Sequence, residues 1–302
     1  MTRTRTTTLL ATAFAAALTL GACGQEGSPT TAGGASSGDA APTYAVAEDV
    51  ALTGSPTFDK IKTAGKVRIG VKADQPGIGL KDAASGRFAG FDIEIAKLVA
   101  AKLGLAPDEI EFTETVSANR EPFLQQGSVD LVVASYTIND KRKEVVDFAG
   151  PYYVAGQDLL VAKDDTSITG VDALAGKKVC SVEGSTPATR IREEHPEATL
   201  VAFDTYSKCV EQLTSGSVDA VTTDDAILRG YAAQQPDVLK VVGKPFSEEP
   251  YGIGLTKGDT VLRGALNDAI EAAVSDGDWK KAYDATLGGS GTDPQPPTVD
   301  RY

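Results

Sequence analysis

Ser135, Tyr136 and Thr137 in one half of the chain, and Asp224 and Asp225 in the other, follow the same run of residue types. Leu124-Gln125-Gln126-Gly127-Ser128-Val129-Asp130 precedes the first group, and Leu213-Thr214-Ser215-Gly216-Ser217-Val218-Asp219 precedes the second. A short apolar run separates each pattern from its polar residues. A helix end, a glycine cap and a buried strand produce that order. Open α/β sheets bind ligands beyond the carboxyl ends of their strands, so hydroxyls and carboxylates placed there offer polar contacts to a ligand. Two similar lobes presenting those ends to each other would form a cleft.

The elements that must position these groups alternate in type. Strands are predicted at 66–71, 110–113, 157–162, 177–182, 200–203, 218–222, 238–242 and 251–256. Helices are predicted at 90–103, 119–126, 206–213, 224–233, 259–275 and 278–287. Phe91, Ile95, Val99 and Leu103 share one face of the first helix. Gly184-Ser185-Thr186-Pro187 opens another, with a hydroxyl cap and a proline in the first turn. Asp224 or Asp225 stands near the N-cap of the helix at 224–233. The segment 157–162 reads as the first crossing between lobes and 251–256 as the return. Such alternation argues for α/β lobes with largely parallel sheets.

The whole chain sets further bounds. Its 302 residues suit two globular units, and 41% hydrophobic residues suffice for ordinary cores. A formal net charge of −13 argues against nucleic acid as a partner. Arg3 and Arg5 precede an uncharged apolar stretch at 9–20, too short to span a membrane and suited to a signal peptide at 1–22. Leu20-Gly21-Ala22-Cys23 resembles a bacterial lipobox, in which Cys23 would carry lipid and anchor the mature chain to a membrane. Residues 23–56, rich in Gly, Ser, Thr, Ala and Pro, read as a flexible tether, and 289–302 as a loose tail. With Cys23 set aside, Cys180 and Cys209 remain, and outside the cytoplasm such a pair tends to form a disulfide.

Enzyme signatures are missing. No lysine follows Gly184-Ser185-Thr186 at phosphate-loop spacing, and no Gly-x-Ser-x-Gly elbow occurs. The single histidine, His195, is predicted at a helix end and reads as a surface residue, which argues against a His-based triad. Two cysteines without partners at ligand spacing do not suggest a metal. Neither a cofactor nor a metal is expected.

The segment from Thr137 to Tyr153, Thr-Ile-Asn-Asp-Lys-Arg-Lys-Glu-Val-Val-Asp-Phe-Ala-Gly-Pro-Tyr-Tyr, resembles the signature of polar amino-acid-binding proteins of ABC importers, solute-binding family 3. Gly90-Phe91-Asp92-Ile93-Glu94-Ile95-Ala96, Glu183-Gly184-Ser185-Thr186 and Val218-Asp219-Ala220-Val221-Thr222-Thr223-Asp224 match as well. The resemblance covers about 58–287 and leans towards glutamate-binding lipoproteins of Gram-positive bacteria. It implies a type II two-lobe clamshell of the periplasmic-binding-protein kind, hinged on two crossing strands. Lobe one would be 57–154 with 250–288, and lobe two 155–249.

The same resemblance implies roles. Arg142 would clamp the ligand α-carboxylate, since a planar guanidinium offers two parallel donors and lysine does not. Ser135, Tyr136, Thr137, Ser185 and Thr186 would add contacts, and Asp224 would take the α-ammonium. Lys72 and Arg120 stand where acidic-amino-acid receptors face the ligand side chain. Unpaired buried cations are costly, so a second carboxylate is the fitting partner, which favours glutamate and then aspartate. Gln75 or Thr205 could add hydrogen bonds. The loop Asp74-Gln75-Pro76-Gly77-Ile78-Gly79-Leu80 lacks the aromatic lid common in the family. The expectation is a non-enzymatic, monomeric lipoprotein on the outer face of the cell membrane, delivering glutamate or aspartate to ABC permease subunits. The alternatives are a cyclohexadienyl-type dehydratase on the same fold, or a receptor for glutamine or another polar amino acid.

Overall fold

Helix α1 (Pro56–Ala64) starts where Ser55 accepts a hydrogen bond from the Phe58 N–H and proline opens the first turn. The computed structural model describes residues 41–290 and 295–302. The expected signal peptide, Cys23 and the first part of the tether lie outside them. After α1 come β1 (Val67–Val71) and a small antiparallel sheet of β2 (Asp74–Gln75), β3 (Gly79–Lys81) and β4 (Phe88–Ala89). Then follow α2 (Phe91–Lys102), β5 (Ile110–Glu114), α3 (Arg120–Gln125), β6 (Leu131–Val133), α4 (Asp140–Lys143) and β7 (Val146–Ala155).

Beyond β7 the alternation repeats with β8 (Gln157–Ala162), β9 (Lys178–Val182), α5 (Thr186–Glu194), β10 (Thr199–Phe203), α6 (Tyr206–Thr214), β11 (Ala220–Asp224), α7 (Asp225–Gln234) and β12 (Leu239–Val241). The chain returns through β13 (Glu249–Thr256) and ends in α8 (Thr260–Ser275) and α9 (Asp278–Thr286).

Two five-stranded sheets result, ordered β5-β1-β6-β13-β7 and β10-β9-β11-β8-β12. In the first, β1 runs parallel to β5 and β6, while β13 runs antiparallel to β6 and β7. In the second, β9 runs parallel to β10 and β11, while β8 runs antiparallel to β11 and β12. The largely parallel sheets expected from sequence are thus mixed. Each keeps a parallel trio and gains an antiparallel pair, because the strands around the crossings join it. The chain passes from one sheet to the other between β7 and β8 and returns between β12 and β13.

Helix α2 differs from its amphipathic reading. Phe91, Ile93, Ile95, Leu98 and Val99 are all buried, because α8 and α9 also pack against it. Residues before α1 add to that cover. Tyr44 Oη donates to Glu94 Oε2 at 3.0 Å, and the Ala47 N–H donates to the Ala101 carbonyl at 2.9 Å. The end of the expected tether is therefore laid along α2.

The expected loose tail also differs over 295–302. Tyr302 Oη accepts from the Phe148 N–H at 2.9 Å, while Lys143 and Arg263 lie over its ring at 3.9 and 4.3 Å. Arg301 pairs with Asp268 and Glu271. The anchors are the aromatic and cationic side chains at the far end, beyond the glycines and prolines that suggested looseness. Cys180 of β9 and Cys209 of α6 form a disulfide. Among the described residues no helix is long and apolar enough to cross a membrane.

Candidate ligand-binding site

Strand ends and helix starts converge on one cavity. Lys72 follows β1, Ser135 and Thr137 follow β6, and Asp224 ends β11. Arg120 begins α3, Thr186 begins α5 with Ser185 as its cap, and Tyr206 begins α6. Lys72, Arg120, Ser135, Thr137, Ser185, Thr186 and Asp224 all line one small cavity. Gln75, Ser117, Pro187, Tyr206 and Ile227 complete the wall.

The cationic side of the wall is held by neutral oxygens. Lys72 Nζ donates to Ser117 Oγ at 2.7 Å. Burial, with Arg120 nearby, pushes the Lys72 ammonium down to about 7. Arg120 donates through Nε to the Ser117 carbonyl at 3.2 Å and through Nη1 to the Ala134 and Ser135 carbonyls, each at 3.0 Å. Its Nη2 reaches the Gly184 carbonyl at 3.3 Å, and its guanidinium lies 4.4 Å from the centre of the Tyr136 ring. Those bonds orient the cation without neutralising it.

Asp224 supplies the opposite charge. Its Oδ2 accepts from Tyr251 Oη at 2.5 Å, while its buried Oδ1 has no partner. Burial first, and the nearby Glu249 second, push its carboxyl up to about 8. Asp224 occupies the N-cap position of α7 yet makes no side-chain cap bond. Thr186 Oγ1 donates to Glu249 Oε2 at 2.7 Å and lies 3.3 Å from Thr137 Oγ1. Ser185 Oγ accepts from the Ala188 N–H at 3.1 Å and donates to the Val182 carbonyl at 2.6 Å, so its hydroxyl is engaged at the start of α5.

Arg142 and Tyr136 are not on this wall. Arg142 lines a neighbouring groove. Its Nε pairs with Glu121 Oε1 at 3.1 Å, while Nη1 donates to the Thr137 carbonyl at 2.7 Å and Nη2 to the Gly184 carbonyl at 3.1 Å. Burial, with Arg120 close by, lowers its guanidinium to about 10. Tyr136 is fully buried behind both arginines and lies 5.0 Å from the Arg142 guanidinium. In this arrangement Arg142 grips the backbone of Thr137 from behind.

Ser117 and Tyr206 line the cavity without having been singled out in the sequence. Ser117 stands three residues before Arg120, one turn back, and Tyr206 opens a helix just past a strand, so strand-end logic reaches both. Thr205 is not on the wall, and its Oγ1 accepts from Ser207 Oγ at 3.1 Å.

Contacts also join the two halves around the cavity. Asp74 Oδ2 accepts from the backbone N–H of Tyr206 at 2.8 Å and of Ser207 at 3.1 Å. A Cβ added to Gly230 of α7 would stand 2.2 Å from the Pro76 carbonyl oxygen. At Gly184, where φ is +77°, a Cβ would stand 2.7 Å from the Ala118 Cα. The backbones meet at these two points only because no side chain intervenes.

A polar cavity between two such halves is the architecture of a binding protein, and comparisons agree. The sequence model of the bacterial extracellular solute-binding proteins, family 3, matches residues 67–289. The glutamate-binding protein GluB of Corynebacterium efficiens is 43% identical over 234 residues, covering 74% of this chain and 79% of that protein. The ABC transporter glutamine-binding protein GlnH of Bacillus subtilis is 42% identical over 228 residues, covering 75% and 83%. Among solved structures, an ancestral arginine-binding protein bound to glutamine superposes with a TM-score of 0.70 at 40% identity, covering 74% of this chain and 98% of that one. The chain belongs to the bacterial extracellular solute-binding proteins of family 3 and has their two-lobe clamshell fold.

Proposed function

We infer that this protein is the substrate-binding component of an ABC importer for an acidic amino acid, glutamate first and aspartate second. One observation carries the reading. Two buried basic groups, Lys72 and Arg120, bonded only to neutral oxygens, share a cavity with the buried Asp224 carboxyl, one oxygen of which is unpaired. A ligand with two carboxylates and one ammonium supplies the missing partners. The GluB and GlnH relatives support the amino-acid class.

Ligand would bind first to lobe one, residues 57–154 and 250–288, through Arg120, Lys72, Ser135 and Thr137. Arg142 would turn from Thr137 towards the ligand or brace that loop from behind. Lobe two, residues 155–249, would then bring Asp224, Ser185 and Thr186. Only the closed form holds both sets, so ligand shifts the population towards it by the difference in contacts. Lipid on Cys23 would keep the protein at the outer face of the membrane, beside its permease. Glutamine is the second reading, favoured by a Lys72 amine poised to be neutral near pH 7 and able to face a carboxamide.

Calorimetric titration of residues 24–302 with glutamate, aspartate, glutamine and arginine tests the reading. We expect saturable binding of glutamate, weaker binding of aspartate, and a loss of about a hundredfold or more in Arg120→Ala. No heat with any amino acid would overturn it.

A further inference from the structure

Gln75, at the end of β2, is fully buried on the cavity wall. Its two amide ends are treated differently. The Oε1 accepts from Ser135 Oγ at 2.5 Å. The Nε2, equally buried, has no partner. A primary amide nitrogen carries two donors, and a native structure rarely buries such donors unmet.

A chain of buried groups holds the amide in this sense. Ser135 sits at a left-handed φ of +45°, with its N–H donating to Asp92 Oδ2 at 2.7 Å. Tyr152 Oη donates to Asp92 Oδ1 at 2.7 Å, which pins the carboxylate from the other side. Turning the amide over would leave the Ser135 hydroxyl to donate to Asp92 Oδ2 at 3.4 Å, a poor bond. The reversed nitrogen would have to donate to Ser135 Oγ across the same 2.5 Å, a length that suits O–H···O and is short for N–H···O, so the network favours an inward-facing nitrogen. The cavity thus holds an unmet donor on Gln75 and an unmet acceptor on Asp224.

The geometry points to Gln75 as a specificity-determining residue whose Nε2 donates to a side-chain carboxylate or carboxamide oxygen of the bound ligand. Asp92 and Ser135 act as positioning residues for it. A neutral donor accepts either kind of oxygen and offers nothing to an ammonium or guanidinium. Gln75 would therefore select acids and amides against basic ligands. This inference rests on the amino-acid reading above.

The test uses Gln75→Met and Gln75→Glu in residues 24–302, with glutamate and glutamine as probes and ligand-free melting as the check on folding. Methionine keeps the size and removes both the donor and the acceptor of the Ser135 hydroxyl, so affinity should fall about tenfold while melting stays cooperative at a modestly lower temperature. Glutamate should cost more near pH 7, because a carboxylate then faces the ligand oxygen. Its affinity relative to wild type should recover towards acid pH, where a protonated carboxyl donates again. A purely structural role would not produce that recovery. If the Glu variant does not fold, the Met variant decides. Wild-type affinity in the Met variant, or tighter binding by the Glu variant near pH 7, would overturn the role of Gln75 alone. Failure of wild type to bind any amino acid would overturn this inference together with the functional reading.

Discussion

Lys72 and Asp224 share one cavity, and burial shifts their proton affinities in opposite directions. Near pH 7.5 the Lys72 amine, lowered to about 7, is mostly neutral, and the Asp224 carboxyl, raised to about 8, is mostly protonated. A ligand carboxylate would restore the proton on Lys72, and a ligand ammonium would expel the one on Asp224. The two exchanges nearly cancel. In Lys72→Met the release stands alone, and calorimetry in buffers of different ionisation heat should detect roughly half a proton or more released per ligand. Equal proton counts in both proteins would contradict the pairing. Stability has its own sign. The folded state of Asp224 holds its proton above the unfolded value of 3.8, so the contribution of Asp224 to ligand-free stability falls as pH rises from about 4 to 8. Asp224→Asn should flatten that part of the melting profile. Asp224 was legible from the internal repeat and its strand end, whereas Lys72 and Arg120 were picked out only through the family resemblance; all three line the cavity. The position of Arg142 was not legible, since Glu121 and the Gly184 carbonyl hold it through tertiary contacts.

Helix α6 shows how an element can depend on the opposite half of the molecule. Its own N-cap residue, Thr205, makes no side-chain cap bond. Asp74, from β2, accepts the first two N–H groups instead. A carboxylate there also meets the positive end of the helix dipole. Asp74→Ala should therefore weaken ligand binding about tenfold while leaving ligand-free melting nearly unchanged if, as the proposed closure requires, the contact is made only in the closed form. Equal loss of melting temperature and affinity would place the contact in the fold itself. The same helix is tied to β9 by the disulfide, which closes a loop with a sequence separation of 29. Cys180→Ala/Cys209→Ala should lower stability by about 3 kcal/mol in denaturant titration. The repeated Leu-x-x-Gly-Ser-Val-Asp pattern made β6 and β11 legible. Strands β2 to β4 were not, being two or three residues long and without periodicity. Strand β7 was hidden too, because it is buried along most of its length and does not alternate.

At the scale of the whole molecule, the seam between the halves depends on close backbone approach. Gly230 lies inside α7, where alanine is the better helix former by about 1 kcal/mol. Gly230→Ala should thus leave ligand-free stability intact or raised. The added methyl would press on the Pro76 carbonyl and hold the clamshell ajar. Weaker glutamate binding and a larger radius of gyration in solution scattering are the expected outcomes, and unchanged values for both would refute the wedge. The two-lobe plan was legible from the internal repeat and the alternation of elements. The mixed sheets were not, because strand direction at the crossings depends on which neighbour each strand finds in space.

The seam also bears on time. Thr137 meets Thr186, Arg120 and Arg142 both reach the Gly184 carbonyl, and Asp74 holds the start of α6. Under the proposed closure, a guest inside that ring would not escape one bond at a time, and its dwell would be the waiting interval until the halves part. Strength of grip and length of stay then become separable quantities. Loosening the seam at Asp74 would shorten the stay through faster parting, whereas trimming Lys72, bonded only to Ser117 of its own half, would weaken the grip on a guest in either posture. Stopped-flow release traces of the two variants should differ in that respect even where their equilibrium constants coincide.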